Sequence, residues 1–262
     1  MPYEKLQFTN SDGHKLSAKL DTPDGEINAY AIIAHCFTCS KDFAAASRLA
    51  KRLTEHGFGV LRFDFAGLGG SEGDFADTNF TTNVQDLICA VNFLEERGQS
   101  ASLMVGHSLG GAAVLVAASL LPSIKAVATV GAPSNVQHVS HHFADKLDII
   151  ESEGIADVKL AGRKFTIKKQ FLDDIKNFNV INRVKELKTP LMIFHSPQDE
   201  TVSIEHAKNI YVAAKHPKSF ISLDGADHLL TKKQDDEFVA ACIAAWSKRY
   251  VIDLNQSLPA AS

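Results

Sequence analysis

The stretch VGHSLGG, residues 105–111, constrains this chain more than any other. It fits G-x-S-x-G as Gly106, His107, Ser108, Leu109 and Gly110, and it joins an apolar run (SLMV, 102–105) to an alanine-rich one (LGGAAVLVAASLL, 109–121). That order suits a sharp turn from a strand into a helix, with Ser108 in a strained conformation and its hydroxyl exposed. Glycines two places before and two after the serine are needed where neighbouring backbones approach too closely for a side chain. A plain glycine turn with an incidental serine requires neither the strand nor the helix.

The rest of the chain repeats the alternation. Runs 6–9 and 15–20 flank Asp12 and Gly13, a hairpin signal. Strand-like runs follow at 29–35, 59–65, 102–105, 126–130, 190–195 and 219–223. Helical patterns cover 42–55, 82–96, 109–121 and 234–249, with Val84, Leu87, Ile88, Val91 and Leu94 at helical spacing in the second. Strands separated by helices predict an α/β fold, a mostly parallel central sheet with helices on both faces. The N-terminal hairpin should form its antiparallel edge. One domain is expected over residues 1–250, with 251–262 as a tail or linker remnant. A polar insertion at about 132–189 reads as a small cap, with KLAGRKFTI as a hairpin turning at Ala161 and Gly162.

A serine nucleophile needs a base, and the base needs an orienting carboxylate. On folds built around such an elbow the chain order is nucleophile, carboxylate, histidine. HSPQDETV supplies Asp199 after the run 190–195, and DGADHLL supplies His228 after the run 219–223. Both lie beyond strand carboxyl ends, where open α/β sheets place their sites. Glu200, Asp224 and Asp227 are rival carboxylates. The turn beginning at Ser196 and Pro197 favours Asp199, and Asp227 is too close in sequence to His228 to reach its Nδ1.

The oxyanion of an acyl-transfer intermediate needs two N–H donors. The backbone of Leu109 supplies one and the loop after the run 29–35 the other. That loop, HCFTC, points to the N–H of Phe37. Its C-x-x-C is open to a redox or zinc reading. Neither a thioredoxin-like context nor a second Cys/His pair accompanies it, so Cys36 and Cys39 read as loop residues. Cys89 and Cys242 lie in helical patterns and read as buried packing. QHVSHHFAD puts His138, His141 and His142 on one helical face, which reads as cap surface.

A net charge of −4 with 45% hydrophobic residues fits a globular domain, and the lysine pairs 168–169 and 232–233 sit among acids. Nothing resembles the clustered basic face that nucleic acid wants. The run 109–121 is too short to span a bilayer. MPYEKLQFTN lacks the apolar core of a secretory signal. A cytoplasmic location, no membrane partner and reduced thiols are the expectations.

RFDFAGLGGSEGDF carries a D-x-x-G-x-G-x-S pattern as Asp64, Gly67, Gly69 and Ser71. With AHCFTCSKD, GHSLGGAAV, HSPQDETV and KHPKSFISLDGADHLLT, the chain resembles the α/β-hydrolase superfamily, and within it the hydrolase half of bacterial α/β-hydrolase/OsmC fusion proteins. The likeness runs from about residue 8 to 250. It implies the α/β-hydrolase fold, a small cap, serine esterase or related activity, and Ser108, Asp199 and His228 as triad. An OsmC-like domain accompanies such relatives; no counterpart is seen in this sequence and its reaction is not carried over. Where many hydrolases have Gly after the loop histidine, this chain has Cys36. The expected chemistry is hydrolysis of a small-molecule ester with no metal and no organic cofactor. Thioesterase, peptidase, binding-module and thiol-redox readings remain rivals, and a homodimer through the last helix or the cap is plausible.

Overall fold

The computed structural model describes residues 2–252, so all but the first two residues of the expected tail lie outside the described residues. A hairpin opens the chain, β1 (Tyr3–Thr9) paired antiparallel with β2 (Lys15–Asp21). Then come β3 (Ala29–Ala34), α1 (Ala44–Glu55), β4 (Phe58–Phe63), α2 (Phe80–Glu96), β5 (Ala101–His107), α3 (Leu109–Leu120) and β6 (Ala126–Val130). After a long excursion the chain closes with β9 (Leu191–His195), α7 (Glu205–Ala213), β10 (Lys218–Ser222) and α8 (Lys233–Val251). Among the described residues these strands form one eight-stranded sheet in the order β1-β2-β4-β3-β5-β6-β9-β10. The strands from β4 to β10 run parallel, and the N-terminal hairpin is the antiparallel edge, as expected.

The parallel strands read as unbroken apolar runs because both faces are covered. Side chains still alternate. Ala31, Ile33, Leu103, Val105, Ala128, Met192 and Phe194 enter the core beneath α1 and α8. Ile32, Ala34, Met104, Val127, Leu191 and Ile193 enter the opposite core with α2 and α3. Helix α3 is buried at every position from Leu109 to Ala118, which only a run this small and apolar tolerates. Helix α2 begins earlier than its periodicity predicts. Asn79 accepts from the Thr82 N–H at 2.9 Å, and the Thr82 hydroxyl accepts from the Asn79 N–H at 2.9 Å. Such a reciprocal cap contributes about 1 kcal/mol.

The excursion holds an irregular 3₁₀ stretch (Val136–Lys146), α4 (Leu147–Glu153), the hairpin β7 (Ile155–Leu160) and β8 (Arg163–Lys168), and α5 (Lys169–Asn177). The hairpin turns at Ala161 and Gly162, both at positive φ, the geometry that a two-residue β-turn needs. The sequence reading extends the insertion to residue 189. However, α6 (Val180–Glu186) packs beside α3 and α7 as a layer helix, so the cap ends near residue 178.

A buried carboxylate ties this frame together. Asp86 of α2 accepts from Asn10 Nδ2 at 2.8 Å and from the Ala66 N–H at 2.9 Å. Burial raises its pKa to about 6, against the pull of those hydrogen bonds. Its folded pKa thus lies above the unfolded value, so the folded state holds a proton that the unfolded state has released. Acidification from pH 6 towards 4 therefore stabilises the fold at this position, by about 2 to 3 kcal/mol at most. Asp86→Asn removes that contribution. In urea unfolding, the variant should lose about 2 kcal/mol relative to wild type between pH 6 and pH 4; parallel pH profiles would mean that Asp86 titrates as a free carboxyl.

Candidate active site

The residues singled out from the sequence converge at the carboxyl edge of the sheet. Ser108 follows β5 directly, with φ 54° and ψ −126°. This left-handed backbone is costly for a non-glycine residue, and it lifts the side chain clear of the strand. The Ser108 N–H donates to the Val130 carbonyl at 2.9 Å and anchors the turn to β6. The elbow glycines are dictated by space. A Cβ on Gly106 would lie 2.4 Å from the Gly110 carbonyl oxygen, and one on Gly110 would lie 2.3 Å from that of His35.

The Ser108 hydroxyl lies 3.0 Å from His228 Nε2, and His228 Nδ1 lies 2.7 Å from Asp199 Oδ2. The second oxygen of Asp199 accepts the N–H groups of Thr201 at 2.9 Å and Val202 at 2.8 Å. Burial works to raise the Asp199 pKa, but the His228 hydrogen bond and these backbone donors outweigh it and hold the carboxyl below its usual value. The rival carboxylates are engaged elsewhere or exposed. Asp227 accepts from Leu229 and Thr231 in its own turn, Asp224 accepts from Gln198, and Glu200 faces solvent.

His107 does something its place in the elbow motif does not reveal. Its Nε2 donates to the His228 backbone carbonyl at 2.6 Å, so it holds the main chain of the partner histidine. Burial, then the proximity of His228, lowers its pKa to about 4. It is a neutral donor throughout the neutral pH range.

The loop after β3 comes beside the elbow. Neither the Phe37 nor the Leu109 N–H has a backbone acceptor among the described residues, and both residues line the same small cavity with Leu68, Phe75 and Phe171. The loop is pinned by Lys41, whose N–H and Nζ reach Asp64 at 2.6 and 2.5 Å. Asp64 also accepts from the Gly70 N–H at 2.9 Å, and a Cβ on Gly69 would lie 2.3 Å from its carboxylate. The D-x-x-G-x-G-x-S segment thus serves as the anchor of the loop.

One expectation is corrected. Cys36 and Cys39 form a disulfide, whereas the sequence suggested reduced thiols. The turn explains it: the Cys39 N–H donates to the Cys36 carbonyl at 3.1 Å, and the two Cα atoms lie 5.3 Å apart, within disulfide reach. Cys89 and Cys242 are free and only half-buried. His138 and His141 have rings 5.0 Å apart, and His138 Nε2 donates to the Thr201 carbonyl at 2.6 Å. Among the described residues no group of His, Cys, Asp or Glu is arranged to hold a metal. No helix among them is long and apolar enough to cross a membrane.

Gly131 escaped the sequence reading. It follows β6 at φ 58°, and a Cβ there would lie 3.2 Å from His228 Nδ1 and 3.3 Å from Asp199 Oδ2. A glycine immediately after an apolar strand (TVGAPS) is the signal that could have found it.

Similarity to known proteins agrees with this architecture. A family model described as serine aminopeptidase, S33, matches residues 25–164. The esterase domain of a Rhodothermus marinus protein shares 44% sequence identity at a TM-score of 0.77, covering 95% of this chain and 99% of that one. Est1E from Butyrivibrio proteoclasticus, solved with ferulic acid bound, shares the fold at 23% identity and a TM-score of 0.76, covering 94% and 99%. The uncharacterized protein YfhR of Escherichia coli O157:H7 is 25% identical over 86% of this chain and 73% of its own. With the family model spanning more than half of its length and the fold shared so fully, the chain belongs to the serine aminopeptidase S33 family of α/β-hydrolases.

Proposed function

We propose that the protein is a serine carboxylesterase acting on small to medium acyl esters. One observation carries the reading: the continuous hydrogen-bonded line from Ser108 Oγ through His228 to Asp199. His228 Nε2 takes the hydroxyl proton as Ser108 attacks the ester carbonyl. Asp199 keeps the Nδ1–H tautomer and stabilises the imidazolium. The N–H groups of Leu109 and Phe37 receive the oxyanion. Collapse of the tetrahedral species expels the alcohol, protonated by His228, and leaves an acyl-Ser108 ester. His228 then activates water to release the acid.

The description of the matching family favours a second reading, aminopeptidase. An aminopeptidase has to hold the α-ammonium of its substrate, ordinarily with a carboxylate. No acidic side chain lines the small cavity that Phe37 and Leu109 share; Leu68, Phe75 and Phe171 do, beside Thr78 and Asn83. Aromatic walls suit a neutral acyl chain, and the likeness to an esterase domain at 44% identity supports the same choice.

Hydrolysis of nitrophenyl esters from two to twelve carbons, beside aminoacyl nitroanilides, tests both readings. We expect ester turnover with an optimum at eight carbons or fewer, because the cap is short and brings no long apolar helix over the serine. An optimum at twelve carbons or longer overturns the pocket assignment. Faster cleavage of the nitroanilides overturns the esterase assignment.

A further inference from the structure

We propose that the Cys36–Cys39 disulfide is a redox site through which a dithiol reductant switches off ester hydrolysis. The proposal rests on the esterase reading above and adds a control on its oxyanion loop.

The disulfide brackets the two residues that matter most in the loop. Phe37 and Thr38 are the only residues between Cys36 and Cys39. Phe37 carries the N–H assigned to the oxyanion. Thr38 sits at φ 58°, a conformation that its β-branched side chain disfavours. A short segment holding such a residue relaxes unless its surroundings fix it. Outside the bracket the loop is held from both sides, by the hydrogen bond from His35 Nδ1 to the Cys36 carbonyl at 2.9 Å and by Lys41 on Asp64. Inside it, three things act: the single turn hydrogen bond from Cys39 to Cys36, a hydrogen bond from Arg163 of the cap to the Thr38 carbonyl, and the disulfide. Phe37 packs against Phe75 and Phe171, with ring centroids 5.8 and 5.7 Å away. The covalent link is therefore the strongest restraint on the direction of the Phe37 N–H.

The two sulfurs differ in access. Cys36 is 6% exposed, while Cys39 is only half-buried. A thiolate of the dithiol attacks the Cys39 sulfur. The protein S–S bond breaks, a mixed disulfide forms on Cys39, and Cys36 leaves as a thiolate that takes up a proton. The second thiol of the reductant then attacks its own mixed sulfur, releasing Cys39 as a thiol and the reductant as a cyclic disulfide. Two electrons and two protons pass from the dithiol to the cysteine pair. Thr38 then relaxes and the Phe37 N–H leaves its position. Full loss of one oxyanion donor costs about 10² to 10³ in kcat. A donor that is loosened but still present should cost about tenfold or more.

The experiment equilibrates the protein in mixtures of dithiothreitol and its cyclic disulfide. Each sample is divided between a nitrophenyl ester assay and alkylation under denaturing conditions with mass detection. Two cysteines should alkylate in the oxidised protein, and all four in the reduced one. Across that transition kcat should fall at least tenfold with KM within about twofold, and reoxidation should restore it. Cys39→Ser should show the low kcat with no response to dithiothreitol. Cys242→Ser, in α8 and outside the disulfide, should respond as wild type does. A thermal melt of the reduced protein that remains cooperative at assay temperature separates loop loosening from unfolding. Equal kcat in the two states, four alkylated cysteines in every mixture, or an uncooperative reduced protein overturns the switch. Absence of turnover in both states overturns the esterase reading itself, and the switch falls with it.

Discussion

Replacing Ser108 with alanine should lower kcat for a nitrophenyl ester by about a millionfold and leave the fold intact. The size of the effect follows from what remains. Without the Oγ no acyl-enzyme forms, and His228 Nε2 loses the partner that lies 3.0 Å from it. Catalysis left to the oxyanion donors and to binding amounts to about 10³ to 10⁴ over water, far below the intact unit. The stability change should be small. Alanine meets the same backbone cost at φ 54° as serine does, so strain is neither added nor relieved. Only one half-buried hydrogen bond is lost, worth about 1 kcal/mol. Steady-state rates beside a thermal melt check both halves. A variant that keeps a tenth or more of the wild-type rate would falsify the assignment of Ser108 as nucleophile.

The meeting of Ser108, Asp199 and His228 was legible in the sequence because each follows an apolar run in a fixed order. A parallel sheet then has to bring Ser108, Asp199 and His228 to one edge, whatever the loops between do. The elbow glycines and the turn at Ala161 and Gly162 were legible for a similar reason, since their demands are local. Gly131 was not, because its constraint comes from side chains far along the chain, at positions 199 and 228. The same holds for Lys41 and Asp64, which meet only when β3 and β4 lie side by side. Helices α6 and α7 escaped because their apolar faces are short, and they become amphipathic only against α3 and the sheet. The disulfide was misjudged on a different ground. An argument from compartment fixed the cysteines as thiols, while the turn geometry of residues 36–39 decides whether they can meet.

Asp199→Asn is the second large effect, and its logic runs through a tautomer. One oxygen of Asp199 receives the Thr201 and Val202 N–H groups, and the other receives His228 Nδ1–H. The backbone pair can be met only by an acceptor, so the carbonyl oxygen of the new amide must face it. The amide NH₂ then faces His228. Two donors cannot share that contact, and the imidazole answers by moving its proton from Nδ1 to Nε2. Nε2–H can no longer accept the Ser108 hydroxyl proton. The geometry survives and the base is lost, which costs about 10⁴ in kcat at neutral pH. Asp227→Asn is the matched control, since that carboxylate only closes the turn to Leu229 and Thr231, and kcat there should stay within about threefold. A loss below about a hundredfold for Asp199→Asn would mean that another group orients His228. The nearest alternative is His195, whose Nε2 lies 3.6 Å from Asp199 Oδ2. Its donor is already taken by the Val202 carbonyl at 2.7 Å, and burial lowers its pKa, so it supplies no negative charge and no acceptor at Nε2. The carboxylate at 199 therefore has no substitute among the described residues around it.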